Sequence, residues 1–234
     1  MVFVRCRFRT ALHQPSWPLL ALFLTCLLAL TPVKLAPELL SRVEKQYGAD
    51  AKSRLLSWQD LLQPNTDQQL QQLQRVNLFF NQIRFIDDID HWQKIDYWAT
   101  PIEMLATNGG DCEDFSIAKY LTLIALGLPE EKLRITYVKA IELNQAHMVL
   151  TYYPTPDAEP LVLDNLIDEI KPASERPDLA PVYSFNGSDL WLAKERGQGQ
   201  LVGKSDRLSM WNDVMGRLAK DFSQAPFLKK KTKE

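Results

Sequence analysis

The hydrophobic period of this chain changes near residue 133, and that change limits its fold more than any other feature. Before it, apolar residues recur every three or four positions, as at Leu70, Leu73, Val76, Phe79, Phe80 and Ile83, the spacing of an amphipathic helix. After it, Leu133 to Ile141 alternates and is rich in β-branched residues, as a strand requires. The first half predicts helices over Pro37 to Trp58, Gln68 to Phe85, Thr100 to Ala106 and Asp111 to Leu126, the last stopped by Gly127 and Pro129. The second half predicts strands over Leu133 to Ile141, His147 to Tyr153, Leu161 to Asp164, Tyr183 to Phe185 and Leu190 to Lys194. A closing helix over Asp206 to Phe222 turns Leu208, Trp211, Val214, Met215 and Leu218 inward. Helices followed by an antiparallel meander define an α+β domain. A chain of 234 residues, 46% of them hydrophobic, can bury one sizeable core.

The ends read differently. Arg5, Arg7 and Arg9 precede an apolar run from Leu19 to Leu30 broken only by Thr25, the layout of an export signal. The run is shorter than the roughly 20 residues of a comfortable membrane span. No clean small-x-small cleavage site follows it. A cleaved signal and a retained anchor both stay open, beside the plainer reading of a buried core helix. Lys229 to Lys233 form a basic tail, which reads as a solvated end. The organisation is therefore an export signal or anchor over 1–33, one globular domain over 34–222 and a tail over 223–234. A formal net charge of -2 gives no reason to expect nucleic acid as a partner.

Of three cysteines, Cys6 and Cys26 fall in the presumed export segment, which leaves Cys112 alone in the domain. No disulfide scaffold is possible. Cys112 sits one residue inside a helix start, where unpaired N–H groups and the helix dipole favour a thiolate. A small buried cysteine at a helix end is the plainer alternative. Histidine is scarce as well: of three, His13 is in the export segment, and His147 opens an apolar strand. Asp164 ends the next strand at the same phase, so adjacent strands can present the two together, as a base and its orienting carboxylate need. Taken singly, His147 reads as a core histidine and Asp164 as a turn residue before Asn165. Together, in the order Cys, His, Asp, they read as a thiol hydrolase.

The run Asn108-Gly109-Gly110-Asp111-Cys112-Glu113-Asp114-Phe115, followed by Ala146-His147-Met148-Val149-Leu150 and Leu163-Asp164-Asn165, resembles the bacterial transglutaminase-like cysteine proteinases. Within that family it resembles the periplasmic type that acts in biofilm dispersal. The resemblance spans roughly Leu35 to Leu218. It implies a papain/transglutaminase-like fold, with the nucleophile at a helix N-terminus packed on an antiparallel sheet, and a triad of Cys112, His147 and Asp164. It also implies calcium, held by Asp111 and Glu113 with Asp114 as a further ligand. On the residues alone, these acids read as an N-cap and first-turn charges that complement the dipole. Asp87, Asp88 and Asp90 read as a solvated loop. The resemblance further implies periplasmic endopeptidase activity on the N-terminal region of a large surface adhesin. The implied inhibitory partner is the periplasmic domain of an inner-membrane cyclic-di-GMP receptor. Trp98 is a candidate second oxyanion donor beside the N–H of Cys112, with a core aromatic as the plainer role, and Trp92 a candidate exposed anchor for a partner. Two other readings compete: another acyl-transfer enzyme on the same fold, either a transglutaminase or a cell-wall peptide amidase, and a catalytically silent binding module.

Overall fold

The computed structural model of the chain describes residues 33–63, 68–192 and 199–221. The expected export segment up to residue 32, residues 64–67, the end of the strand expected to reach Lys194, and the expected basic tail lie outside the described residues. Among the described residues no helix is long and apolar enough to cross a membrane.

The helix expected over Pro37 to Trp58 is two helices, α1 (Pro37–Tyr47) and α2 (Ala49–Leu61). Gly48 separates them at φ 90°, a conformation other residues resist, and its N–H closes α1 on the Glu44 carbonyl. Helix α3 (Gln69–Phe80) buries Leu73, Val76 and Phe80, as its period predicts, but it stops at Asn81 rather than Phe85. Arg84–Phe85 instead form a two-residue strand, β1, followed by the single helical turn α4 (Asp88–His91). Helix α5 (Pro101–Thr107) opens on a capping box in which Thr100 accepts from Glu103 N–H and Glu103 accepts from Thr100 N–H. It ends at Asn108 in the left-handed region. Gly109–Gly110 form β2 and pair in parallel with β1.

Helix α6 (Cys112–Ala125) follows at once and is largely buried, with Phe115, Ile117, Ala118, Leu121 and Leu123 all enclosed. It lies against the two central strands, β3 (Leu133–Ala140) and β4 (Gln145–Tyr152). The sheet continues through β5 (Leu161–Leu163), β6 (Lys171–Pro172), β7 (Leu179–Phe185), β8 (Asp189–Leu192) and β9 (Gln200–Lys204). Its spatial order is β6-β5-β4-β3-β7-β8-β9, and every adjacent pair is antiparallel. The chain thus meanders outward from β3 to β6, then returns to the other side of β3. That return makes β3 and β4 central rather than one edge of a simple meander. Helix α7 (Ser209–Asp221) closes the fold by burying Trp211, Val214 and Leu218.

The sheet has two different faces, since successive side chains on a strand point to opposite sides. Ile135, Met148, Leu150, Leu163 and Phe185 join the helices in the main core. Val138, Val149 and Val162 form a separate small cluster, with Ala173 and Leu179 beside them.

Candidate active site

Cys112 reaches its place through the glycine turn. The β1–β2 pairing fixes Gly109 and Gly110 against Arg84 and Phe85, so α6 starts from a held position. A Cβ on Gly110 would lie 2.6 Å from Asp114 Oδ2, so only glycine lets the main chain pass this close. Asp114 caps the helix in reverse. Its Oδ2 accepts from Asp111 N–H at 3.3 Å and its Oδ1 from Ala99 N–H at 2.6 Å.

The sulfur of Cys112 lies near β4, close enough for the main-chain N–H of Met148 to favour its charged form. It is therefore beside the peptide that joins His147 to Met148. His147 is buried, and its Nε2 is 2.8 Å from Asp164 Oδ1. Leu150 pairs with Leu163, and continuing that register sets Asp164 opposite Val149. His147 is two residues away on the same face, a diagonal neighbour within reach of a long side chain. Asp164 is 1% exposed. Burial pushes its carboxyl up, but hydrogen bonds from His147, Leu166 N–H and Arg176 win and hold it down at about 2. An ionised carboxylate only accepts, so Nε2 of His147 carries the proton and Nδ1 is the nitrogen left to act as a base.

The thiol itself donates to Glu113 Oε2, 2.9 Å away. This differs from the expected helix-start thiolate. Burial first, and then the Glu113 and Asp111 carboxylates, push the thiol well above its ordinary range. The acids responsible form a cluster. One ligand oxygen each of Asp88, Asp111 and Glu113 lies within 4.8 Å of the others. Burial pushes Asp111 up to about 10, with Glu113, Asp114 and Asp88 adding like charge. Asp88 is pushed up to about 6, mainly by burial. Oδ1 of both Asp88 and Asp111 is buried without a hydrogen-bond partner. Converging hard oxygens, unpaired and mutually repelling, fit a divalent cation such as calcium.

Two expectations need correction, those for Asp88 and Trp92. Asp88 does not belong to a solvated loop: it is 5% exposed and faces Asp111 and Glu113, while Asp87 and Asp90 remain exposed. Asp114 is brought to the same place, but both its oxygens are bonded to main-chain N–H groups and it stands outside the cluster of three. Trp92 is half-buried between His91 and Tyr97, not an exposed anchor. Trp98 is buried and stacked on Phe185, as a core aromatic is. Two further residues had no signal in the sequence. Asp88 arrives through β1–β2, a pairing too short to show a period. Arg176 arrives through the segment between β6 and β7.

A family model for the bacterial transglutaminase-like cysteine proteinases, BTLCP, matches residues 49–179. The chain belongs to that family. Among solved structures, EGTA-treated LapG of Legionella pneumophila is 44% identical with a TM-score of 0.68, over 80% of this chain and 99% of that one. The calcium-bound form of the same Legionella pneumophila protein is 46% identical with a TM-score of 0.65, over 77% of this chain and 98% of that one. No curated protein matches the sequence. The papain/transglutaminase-like fold and cysteine proteinase identity expected from the resemblance follow from this membership.

Proposed function

We propose that this LapG-like cysteine proteinase is a calcium-dependent endopeptidase that works through Cys112, His147 and Asp164. The observation that carries this reading is the buried His147–Asp164 pair, whose histidine adjoins Met148, the residue whose main-chain N–H favours the charged form of the Cys112 sulfur. In the reaction, Nδ1 of His147 takes the thiol proton and the sulfur attacks the substrate carbonyl carbon. His147 then gives that proton to the leaving amine. A water, deprotonated by the same nitrogen, cleaves the thioester and restores the thiol. Asp164 keeps the ring in one tautomer throughout.

Asp88, Asp111 and Glu113 are the residues that would hold the calcium, a set supported by their closeness and by the unpartnered oxygens of Asp88 and Asp111. When bound, the ion would supply the positive charge that three crowded carboxylates lack. Without it, burial and then the Glu113 carboxylate keep the thiol protonated.

The substrate we propose is the N-terminal region of a large surface adhesin, cut at paired alanines so that attachment is released. The enzyme would act in the periplasm, free or tethered by its N-terminal segment, under the periplasmic domain of an inner-membrane cyclic-di-GMP receptor. The likeness to LapG supports these assignments. The test is incubation of the purified protein with the N-terminal region of such an adhesin, with calcium or with a chelator. Cleavage at paired alanines that the chelator stops is expected. The Cys112→Ala variant should retain its fold and calcium binding but cut nothing. Turnover by that variant would overturn the nucleophile assignment.

A further inference from the structure

Asp164 has a second buried partner. Its Oδ1 faces His147 and also accepts Leu166 N–H at 3.0 Å, while its Oδ2 accepts from Arg176 Nη2 at 2.8 Å. Arg176 is 5% exposed. The same Nη2 donates to Asp178 Oδ2 at 2.7 Å, and Nε donates to Asp178 Oδ1 at 2.9 Å. Asp178 is itself anchored to the β3–β4 hairpin, because its carbonyl accepts Ile141 N–H at 2.7 Å. The guanidinium is therefore gripped on its Nε/Nη2 edge by Asp178 and reaches Asp164 with the same nitrogen. Burying an arginine costs several kcal/mol unless its charge is matched. Asp178 alone would match it at the surface, so a contact only with Asp178 would suffice to hold this segment. Reaching inward to the carboxylate that orients His147 is the feature a loop staple does not need. Lys119 of α6, 1% exposed and with no hydrogen-bond partner on Nζ, also acts electrostatically on Asp164 from the helix side, as Asp168 acts on Lys119.

We propose that Arg176 is a positioning residue of the active site: it fixes the second oxygen of Asp164 so that the first stays aimed at Nε2 of His147. A carboxylate held at only one oxygen can rotate about its Cβ–Cγ bond. One bonded at both ends cannot, and misplacement of a catalytic group by even 1 Å can cost on the order of a hundredfold in rate. Asp178 in turn sets the guanidinium. The inference rests on the triad reading given above.

The test uses the full chain labelled with ¹⁵N-histidine, in which only three histidines give signals. His147 is identified by the signal lost in His147→Gln. A slowly exchanging Nε2–H proton, donated to Asp164, is expected in the unmodified protein. In Arg176→Met that proton should exchange into the solvent and its signal broaden or vanish. Cleavage of the adhesin region should lose about tenfold or more in kcat with KM within twofold. Arg176→Lys should recover part of both. Asp178→Asn, which loosens the guanidinium without touching Asp164, should move both readouts in the same direction by less, and it serves if Arg176→Met does not fold. An Nε2–H signal and kcat unchanged in folded Arg176→Met, or in Asp178→Asn where that variant stands in for it, would overturn the role of Arg176 and leave the triad standing. Absence of the Nε2–H signal from the unmodified protein would overturn both.

Discussion

Glu113 holds two positions at once, accepting the Cys112 thiol proton and facing Asp88 and Asp111 in the carboxylate cluster. Replacing it with Gln should therefore act in opposite directions on two measurements. Calcium affinity, read by titration calorimetry, should fall about tenfold or more, because a charged ligand is lost. With calcium removed, however, Cys112 should react faster with iodoacetamide than in the unmodified protein, since the nearest negative charge on the thiol is gone. Slower alkylation in the chelated variant would contradict this account of the thiol. At this scale the sequence was informative about residues with a local cue. Cys112 follows a glycine turn, His147 opens a strand and Asp164 closes one. It was silent on Asp88 and Arg176, whose roles exist only because distant segments meet. A run of aspartates looks the same whether it faces water or faces Asp111.

At the scale of elements, the period of the apolar residues anticipated α3, α6, α7 and the central strands, because each packs one face against the core. It did not anticipate the break between α1 and α2. Gly48 ends a helix there through its backbone freedom, and the apolar spacing runs on regardless. Nor did it anticipate β1 and β2, whose parallel pairing joins two residues to two and leaves no alternation to read. That small pairing nevertheless places the cluster, the glycine turn and the nucleophile together. Gly110→Ala probes it directly. The new Cβ would meet Asp114 Oδ2 at 2.6 Å and Asp114 Cβ at 2.9 Å, while that carboxylate is tied to Ala99 and Asp111. Thermal unfolding should show a loss of about 1–3 kcal/mol, the usual cost of overpacking. Proteolysis should fall by more than the unfolded fraction explains. A variant with unchanged stability and activity would show that the turn can move and that Asp114 does not hold it.

For the whole molecule, two sets of buried carboxyls give opposite dependences of stability on pH. Asp164 is held below its ordinary value of 3.8, at about 2. Its ionised form therefore stabilises the fold above about pH 4, by on the order of 2 kcal/mol, and that contribution is lost as pH falls toward 2. Asp88 and Asp111 are raised from 3.8 to about 6 and about 10. The fold binds their protons more tightly than the unfolded chain does, so metal-free stability should fall as pH rises above about 4, through 6 and toward 10. Calcium binds the deprotonated carboxylates and should offset that loss. The melting temperature of chelated protein should accordingly decline between pH 5 and 8. Saturating calcium should raise it by an amount that grows with pH. A calcium effect that is equal at pH 5 and pH 8 would remove Asp88 from the binding set.

The central claim is that the Cys112 thiol is activated by His147. Its most direct measurement is the rate of iodoacetamide modification at Cys112, located by peptide mass mapping, in calcium-loaded protein at neutral pH. We expect rapid modification in the unmodified protein and a rate at least about tenfold lower in His147→Asn, which keeps a polar amide but no base. Equal rates in the two proteins would mean that the imidazole does not serve the sulfur, and the proteolytic mechanism proposed above would be contradicted.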